Sequence, residues 1–152
     1  MLSEDIARIT SADVPIGVFL SGGIDSSAVA AFATRHVPPN ELMTFSIGFE
    51  EQSFDESAHA VSVANFLGTS HHQNRLSITA AGDLLPELTD RLDEPIGDSS
   101  LLPTHLLCQH TREKVKVALG GDGADELFAG YAPFRALRWA RLYQKLVPKS
   151  LH

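Results

Sequence analysis

Ile16-Gly17-Val18-Phe19-Leu20-Ser21-Gly22-Gly23-Ile24-Asp25-Ser26-Ser27 is the stretch from which the architecture is read. Its opening, Ile16 to Leu20, is a short apolar run of the kind shown by a strand buried in a parallel sheet. Ser21-Gly22-Gly23 ends that run, and Asp25 to Arg35, with Ala28, Ala30, Ala31 and Ala33, reads as a helix. A strand passing through glycines into a helix is where an open α/β sheet puts its ligands. Glycine lets the backbone turn tightly and approach an anion with no β-carbon in the way. The free N–H groups and positive dipole end of a helix start favour phosphate. Ser21, Ser26 and Ser27 can add hydroxyl hydrogen bonds, and Asp25 can hold a metal ion that bridges phosphate oxygens. A tight turn with a helix cap shares this composition, so that plainer reading stays open. Neither G-x-x-x-x-G-K-[ST] nor G-x-G-x-x-G is present, which removes the P-loop and the dinucleotide fingerprint.

Strand-like and helix-like patches alternate along the rest of the chain. Ile6 to Thr10 reads as the end of a short helix, broken at Asp13-Val14-Pro15. Pro38-Pro39-Asn40 is a turn, and Met43 to Phe49 a second strand. Asp55 to Leu67 is a helix with Ala60, Val61, Ala64 and Leu67 on one face, stopped at Gly68. His71 to Ile78 reads as a polar edge strand, Thr79 to Leu92 as a helix, and Asp93 to Ser100 as a loop. Leu101 to Lys114 is a helix that tolerates Pro103 in its first turn, Val115 to Leu119 a strand, and Pro133 to Val147 a final helix. This order predicts βαβ units and an α/β fold, a parallel sheet with helices on both faces. No internal repeat, low-complexity segment or domain boundary is visible, so residues 1–152 are expected to form one domain.

The chain has 152 residues, 43% of them hydrophobic, enough for a real core. Twelve Lys and Arg against 19 Asp and Glu give a formal charge of −7, which argues against a nucleic-acid surface and suits a divalent metal. Cys108 is the sole cysteine, so no internal disulfide holds the fold. No apolar run reaches the roughly 18 residues of a membrane span, and the start lacks a signal peptide; a cytoplasmic protein is expected. The seven histidines show no zinc spacing, and adjacent His71 and His72 would face opposite ways on a strand. The Arg135, Arg138, Arg141 row reads as a solvated helix face, and Cys108 as a buried helical cysteine.

A second turn, Val117-Ala118-Leu119-Gly120-Gly121-Asp122-Gly123-Ala124-Asp125-Glu126, repeats the logic: a strand ends in glycines, acids follow, and a helix begins. If both strands end at one rim, Asp25 and Asp125 could share one or two magnesium ions. An acidic first helical turn, stabilised by the dipole alone, is the plainer alternative.

Ser21 to Ser27 resembles the S-G-G-x-D-S-[ST] pyrophosphate loop of the N-type ATP pyrophosphatases, or PP-loop superfamily. With the second turn, Leu92-Asp93-Glu94-Pro95-Ile96-Gly97-Asp98-Ser99-Ser100, Ser46-Ile47-Gly48-Phe49 before Phe54-Asp55-Glu56, and Leu67-Gly68-Thr69-Ser70-His71-His72, the chain resembles the synthetase domain of the asparagine synthetases. The resemblance runs from about Asp13 to Phe134. It implies a Rossmann-like, adenine nucleotide alpha hydrolase-like fold, cut short at the C-terminus, because the family's domain continues into helices carrying a catalytic lysine.

The resemblance also implies roles. Leu20 and Ile47 would frame the adenine; Ser21, Gly22, Gly23, Ser26 and Ser27 would cradle pyrophosphate. Asp25 and Asp125 would carry Mg2+, Gly120 and Gly121 would lie against ATP, and Asp122 would sit near the reacting centre. Asp98, Ser99 and Ser100 are substrate candidates. The implied chemistry is an amide ligation: a carboxylate, that of the aspartate side chain, attacks the α-phosphorus of ATP, and ammonia converts the adenylate to asparagine. Glutamine-using members make ammonia in an N-terminal glutaminase domain with a cysteine exposed after Met removal. Leu2 stands there instead, so such a domain is expected upstream in a longer parent, and the 152-residue chain is expected to bind Mg-ATP weakly with little or no turnover. Other carboxylate acceptors, as in β-lactam synthetases and related amidotransferases, a non-catalytic remnant, and a homo-oligomer all stay open.

Overall fold

The computed structural model describes residues 2–50, 55, 57–77, 79, 82–94, 96–128, 130, 131, 133, 134, 137, 139 and 143. It divides into two compact units, Met1–Gly120 and Gly121–His152. The first unit alternates helix and strand: α1 (Leu2–Thr10), β1 (Ile16–Phe19), α2 (Ile24–Ala33), β2 (Met43–Phe49), α3 (Ser57–Leu67), β3 (Ser70–Leu76), α4 (Leu85–Thr89), α5 (Leu101–Arg112) and β4 (Val117–Leu119). The second unit contains α6 (Ala124–Phe128).

The strands form one parallel sheet in the order β3-β2-β1-β4. The chain steps from β1 to β2 to β3, then returns to the other side of β1. Gly17 pairs with Met43 on one side and Ala118 on the other, so β1 and β4 point their carboxyl ends at one edge. That reversal of strand order marks the position at which open sheets bind ligands.

Strand alternation separates two cores. Val18 and Leu20 pack with Ile6, Ala30, Ala33, Leu42, Ala60 and Ala64, the small alanines letting α2 and α3 lie close to the sheet. Phe45, fully buried, lies on the opposite face, with its ring centroid 5.3 Å from that of His72 and 6.1 Å from that of His110 on α5. Burying such a ring is worth about 1.5–3 kcal/mol. Gly17 makes room for it, since a β-carbon there would lie 2.6 Å from Phe45 Cε2. Helices therefore cover both faces, as the alternation predicts.

Three expectations change. The helix expected over Thr79 to Leu92 is interrupted: Thr79 and Gly82 are helical, Asp83 and Leu84 form a turn, and the chain restarts as α4 with Pro86, which has no N–H to give, in its first turn. The fourth strand starts at Val117, since the Val115 N–H is still bonded to the Thr111 carbonyl at the end of α5. Cys108 is exposed on α5, not buried. Ile78, Phe54, Glu56 and Pro95 lie outside the described residues, as does most of Pro133 to Val147, including Arg135, Arg138, Arg141 and Lys145. Among the described residues, no helix is long and apolar enough to cross a membrane.

Candidate nucleotide site

The turn after β1 is rooted by one backbone bond: Leu20 N–H donates to the Phe45 carbonyl at 2.8 Å. Leu20 is 1% exposed, its side chain packed in the core and its N–H already given to Phe45. Gly22 has φ +83°, a conformation an L side chain resists, and packs against the His59-Ala60 backbone of α3. Ser21 and Ser26 close the turn on itself. Their hydroxyls lie 2.9 Å apart, Ser26 Oγ accepts the Ser21 N–H at 3.2 Å, and Ser21 Oγ accepts the Gly23 N–H at 3.2 Å.

Gly23 is the N-cap of α2, and no side chain caps the helix. The backbone donors of that first turn are therefore not neutralised by a capping oxygen. A β-carbon at Gly23 would meet only Ser21 Oγ, at 3.3 Å, so this side of the turn is open. Ser27 Oγ is buried and has no hydrogen-bond partner among the described residues, a costly state for a hydroxyl unless something supplies one. Asp25 stands half-buried in the same helical turn. Among the described residues, no three His, Cys, Asp or Glu converge on a metal position. Magnesium needs no such cage, because it takes one or two carboxylates and completes its shell with phosphate oxygens and water. Asp25, half-buried at the start of α2 beside the Ser21–Ser27 turn, suits it.

At the end of β2, half-buried Ile47 pairs with Asn74 of β3. A β-carbon on neighbouring Gly48 would lie within 3 Å of Gln73, Asp55 and Ser57 side-chain atoms. Asp55 accepts the Ser57 N–H at 3.0 Å and a bond from Arg75 at 2.9 Å, tying the start of α3 to β3. Hydrogen bonding from Ser57, then from Arg75, lowers its carboxyl from 3.8 to about 2. The sequence signal for this cap is an acid two residues before the helix, which sequence reasoning did not single out.

Asp98 accepts the Ser100 N–H at 2.8 Å, and hydrogen bonding to Ser100 holds its carboxyl below the usual range. Asp98 and Ser99 line a cleft of about 550 Å³ with Leu92, Asp93, Glu94 and Leu101; Ser100 is exposed beside it. Gly120 follows β4 at the sheet edge where β1 ends. Gly121, Asp122 and Asp125 belong to the second unit. There Asp122 is exposed, and the Asp125 carboxylate lies against Gly130, whose N–H bonds the Asp125 carbonyl at 3.0 Å.

A parallel sheet that reverses order at β1 and opens there into a serine-glycine turn and an uncapped helix defines an open α/β domain with a ligand-site turn at its switch point. The fold resembles that of a glutamine-dependent NAD+ synthetase from Acinetobacter baumannii solved with ADP, at TM-score 0.59 and 17% identity over 86% of this chain and 27% of that one. The chain belongs to the asparagine synthase family, whose model, described as Asparagine synthase, matches residues 1–152. It is 44% identical, over 99% of its length, to a candidate glutamine-hydrolyzing asparagine synthetase of Mycobacterium tuberculosis, and covers 23% of that protein. It is 41% identical over 81% of its length to glutamine-hydrolyzing asparagine synthetase 1 of Bacillus subtilis, covering 19% of it. The chain thus spans about a quarter or less of these relatives.

Proposed function

We propose that this chain is the ATP-binding part of an amide ligase that adenylates the side-chain carboxylate of aspartate, releases pyrophosphate, and forms asparagine with ammonia. The observation that carries the reading is the turn from Ser21 to Ser27, with its uncapped helix start and the orphaned Ser27 hydroxyl. All of it lies where strand order reverses in a member of the asparagine synthase family. Both compact units belong to one partial synthetase domain in this reading.

A carboxylate oxygen attacks the α-phosphorus of ATP, and the bond to the β-phosphate bridging oxygen breaks with its electrons leaving on pyrophosphate. Negative charge grows on the departing group. The uncapped N–H groups of the first turn of α2 face that charge, assistance preset before the reaction begins, and the Ser21, Ser26 and Ser27 hydroxyls belong to the same turn. Asp25 would hold Mg2+, which would neutralise charge on the phosphate oxygens when bound. Leu20 and Ile47, the latter through its backbone, frame the adenine, and Gly120, at the end of β4, lies against the nucleotide. Asp98, Ser99 and Ser100 serve the amino-acid substrate, and Asp122 is assigned to the reacting centre by the family resemblance alone. Ammonia then attacks the acyl carbon, loses one proton, and expels AMP as the acyl–oxygen bond breaks.

The M. tuberculosis and B. subtilis relatives carry glutamine hydrolysis in their names, which supports ammonia from a glutaminase segment outside the matched part. A cytoplasmic site of action accords with ATP as substrate. Pyrophosphate–ATP exchange with a panel of carboxylates tests the reading in the intact protein. Aspartate-dependent exchange is expected; exchange driven by a different acid moves the protein to another acceptor, and exchange with none overturns adenylation.

A further inference from the structure

We propose that His71 is a positioning residue for the nucleotide site: it ties together the two hydroxyls that flank Phe45, the residue on which the pyrophosphate turn is rooted. The inference rests on the ATP-binding reading above. Thr44 and Ser46 are 0% and 4% exposed and lie two apart on β2, so their side chains share a face. His71 stands opposite Thr44 in the β2–β3 register. Its Nδ1 lies 2.9 Å from Thr44 Oγ1 and its Nε2 3.1 Å from Ser46 Oγ. Thr44 Oγ1 is in turn 3.0 Å from Thr69 Oγ1. Both ring nitrogens are engaged, so neither is free for a metal.

Burial, then the charge of His72, pushes the His71 imidazole below its ordinary range. A neutral ring has one donor nitrogen and one acceptor, and a hydroxyl can serve either. The ring therefore spans one strand repeat and fixes the orientation of the peptides between Thr44 and Ser46. The Phe45 carbonyl within that span receives the Leu20 N–H at 2.8 Å, and Ser21 follows Leu20 directly. Ile47, the expected adenine neighbour, follows Ser46. An apolar side chain would fill this half-buried position with less desolvation; a satisfied polar network supplies direction in place of extra stability.

The test uses the intact protein, Mg2+ and α,β-methylene-ATP in calorimetry, with thermal melts alongside. In His71→Gln the amide reaches about as far as Nε2 and keeps the Ser46 bond; in His71→Asn it reaches only as far as Nδ1 and keeps the Thr44 bond. Gln should bind the analogue nearly as wild type does, whereas Asn and Ser46→Ala should each lose about tenfold, the size of one hydrogen bond. Melts of the Gln and Asn variants should coincide. Equal affinities for Gln and Asn, or losses that follow stability alone, overturn the positioning role while leaving ATP binding intact. A wild type that binds no analogue overturns the ATP reading and this inference with it.

Discussion

Gly22 lies against His59 so closely that a β-carbon on it would stand 2.5 Å from both the carbonyl carbon and Cβ of His59. The second glycine of the turn, Gly23, has no such neighbour and a negative φ. Two glycines that read alike in sequence therefore answer to different constraints: Gly22 to the fold, Gly23 to whatever approaches the turn.

Gly22→Ala should destabilise the protein by about 2 kcal/mol or more, from the positive φ and the collision with α3 backbone. Gly23→Ala should melt close to wild type yet bind ATP analogues more weakly. Denaturant titration and calorimetry on the pair check this. Equal stability of the two variants would contradict the packing, and unchanged affinity in Gly23→Ala would move the phosphate elsewhere.

Ser27→Ala should leave stability unchanged or raise it by up to about 1 kcal/mol, because the lost hydroxyl is a buried group without a partner. The same change should weaken nucleotide binding. A clear drop in melting temperature without ligand would mean that the hydroxyl has a partner inside the folded chain.

Asp25→Ala should lower aspartate-dependent pyrophosphate–ATP exchange by about 100-fold or more, the scale for removing one preset electrostatic group, while circular dichroism and melting stay near wild type. Retained exchange would remove Asp25 from the mechanism.

Asp55 makes stability depend on acid. Its carboxyl titrates near 2 when folded and 3.8 otherwise, so the ionised form is the one the fold favours. Its contribution is complete above about pH 4 and fades as pH falls toward 2. Asp55→Asn should be less stable than wild type at neutral pH, and the gap should narrow across that window in pH-dependent melts. A gap constant down to pH 2 would show that the bonds to Ser57 and Arg75 do not act through the charge.

The strands, the turn after β1 and the family were legible from one sequence because each rests on local chemistry. Apolar runs, glycines at strand ends and serines at a helix start carry their meaning within a few residues. The order β3-β2-β1-β4 was not legible, since it depends on where the chain returns after β3. Nor was the role of His71: alternation placed it opposite His72, but only pairing of β2 with β3 sets its ring between Thr44 and Ser46. A turn at Asp83 and Leu84 interrupts an otherwise plausible helix ahead of Pro86, and Cys108 proved exposed because the buried side of α5 is set by what packs on it. The sequence determined which hydrogen-bonding and acidic groups stand in the turn after β1. Tertiary structure decided which of them are spent on one another, as Ser21 and Ser26 are, and which, like Ser27 Oγ, remain without a partner. A hydrogen bond requires its two ends to meet in space, whatever their separation along the chain.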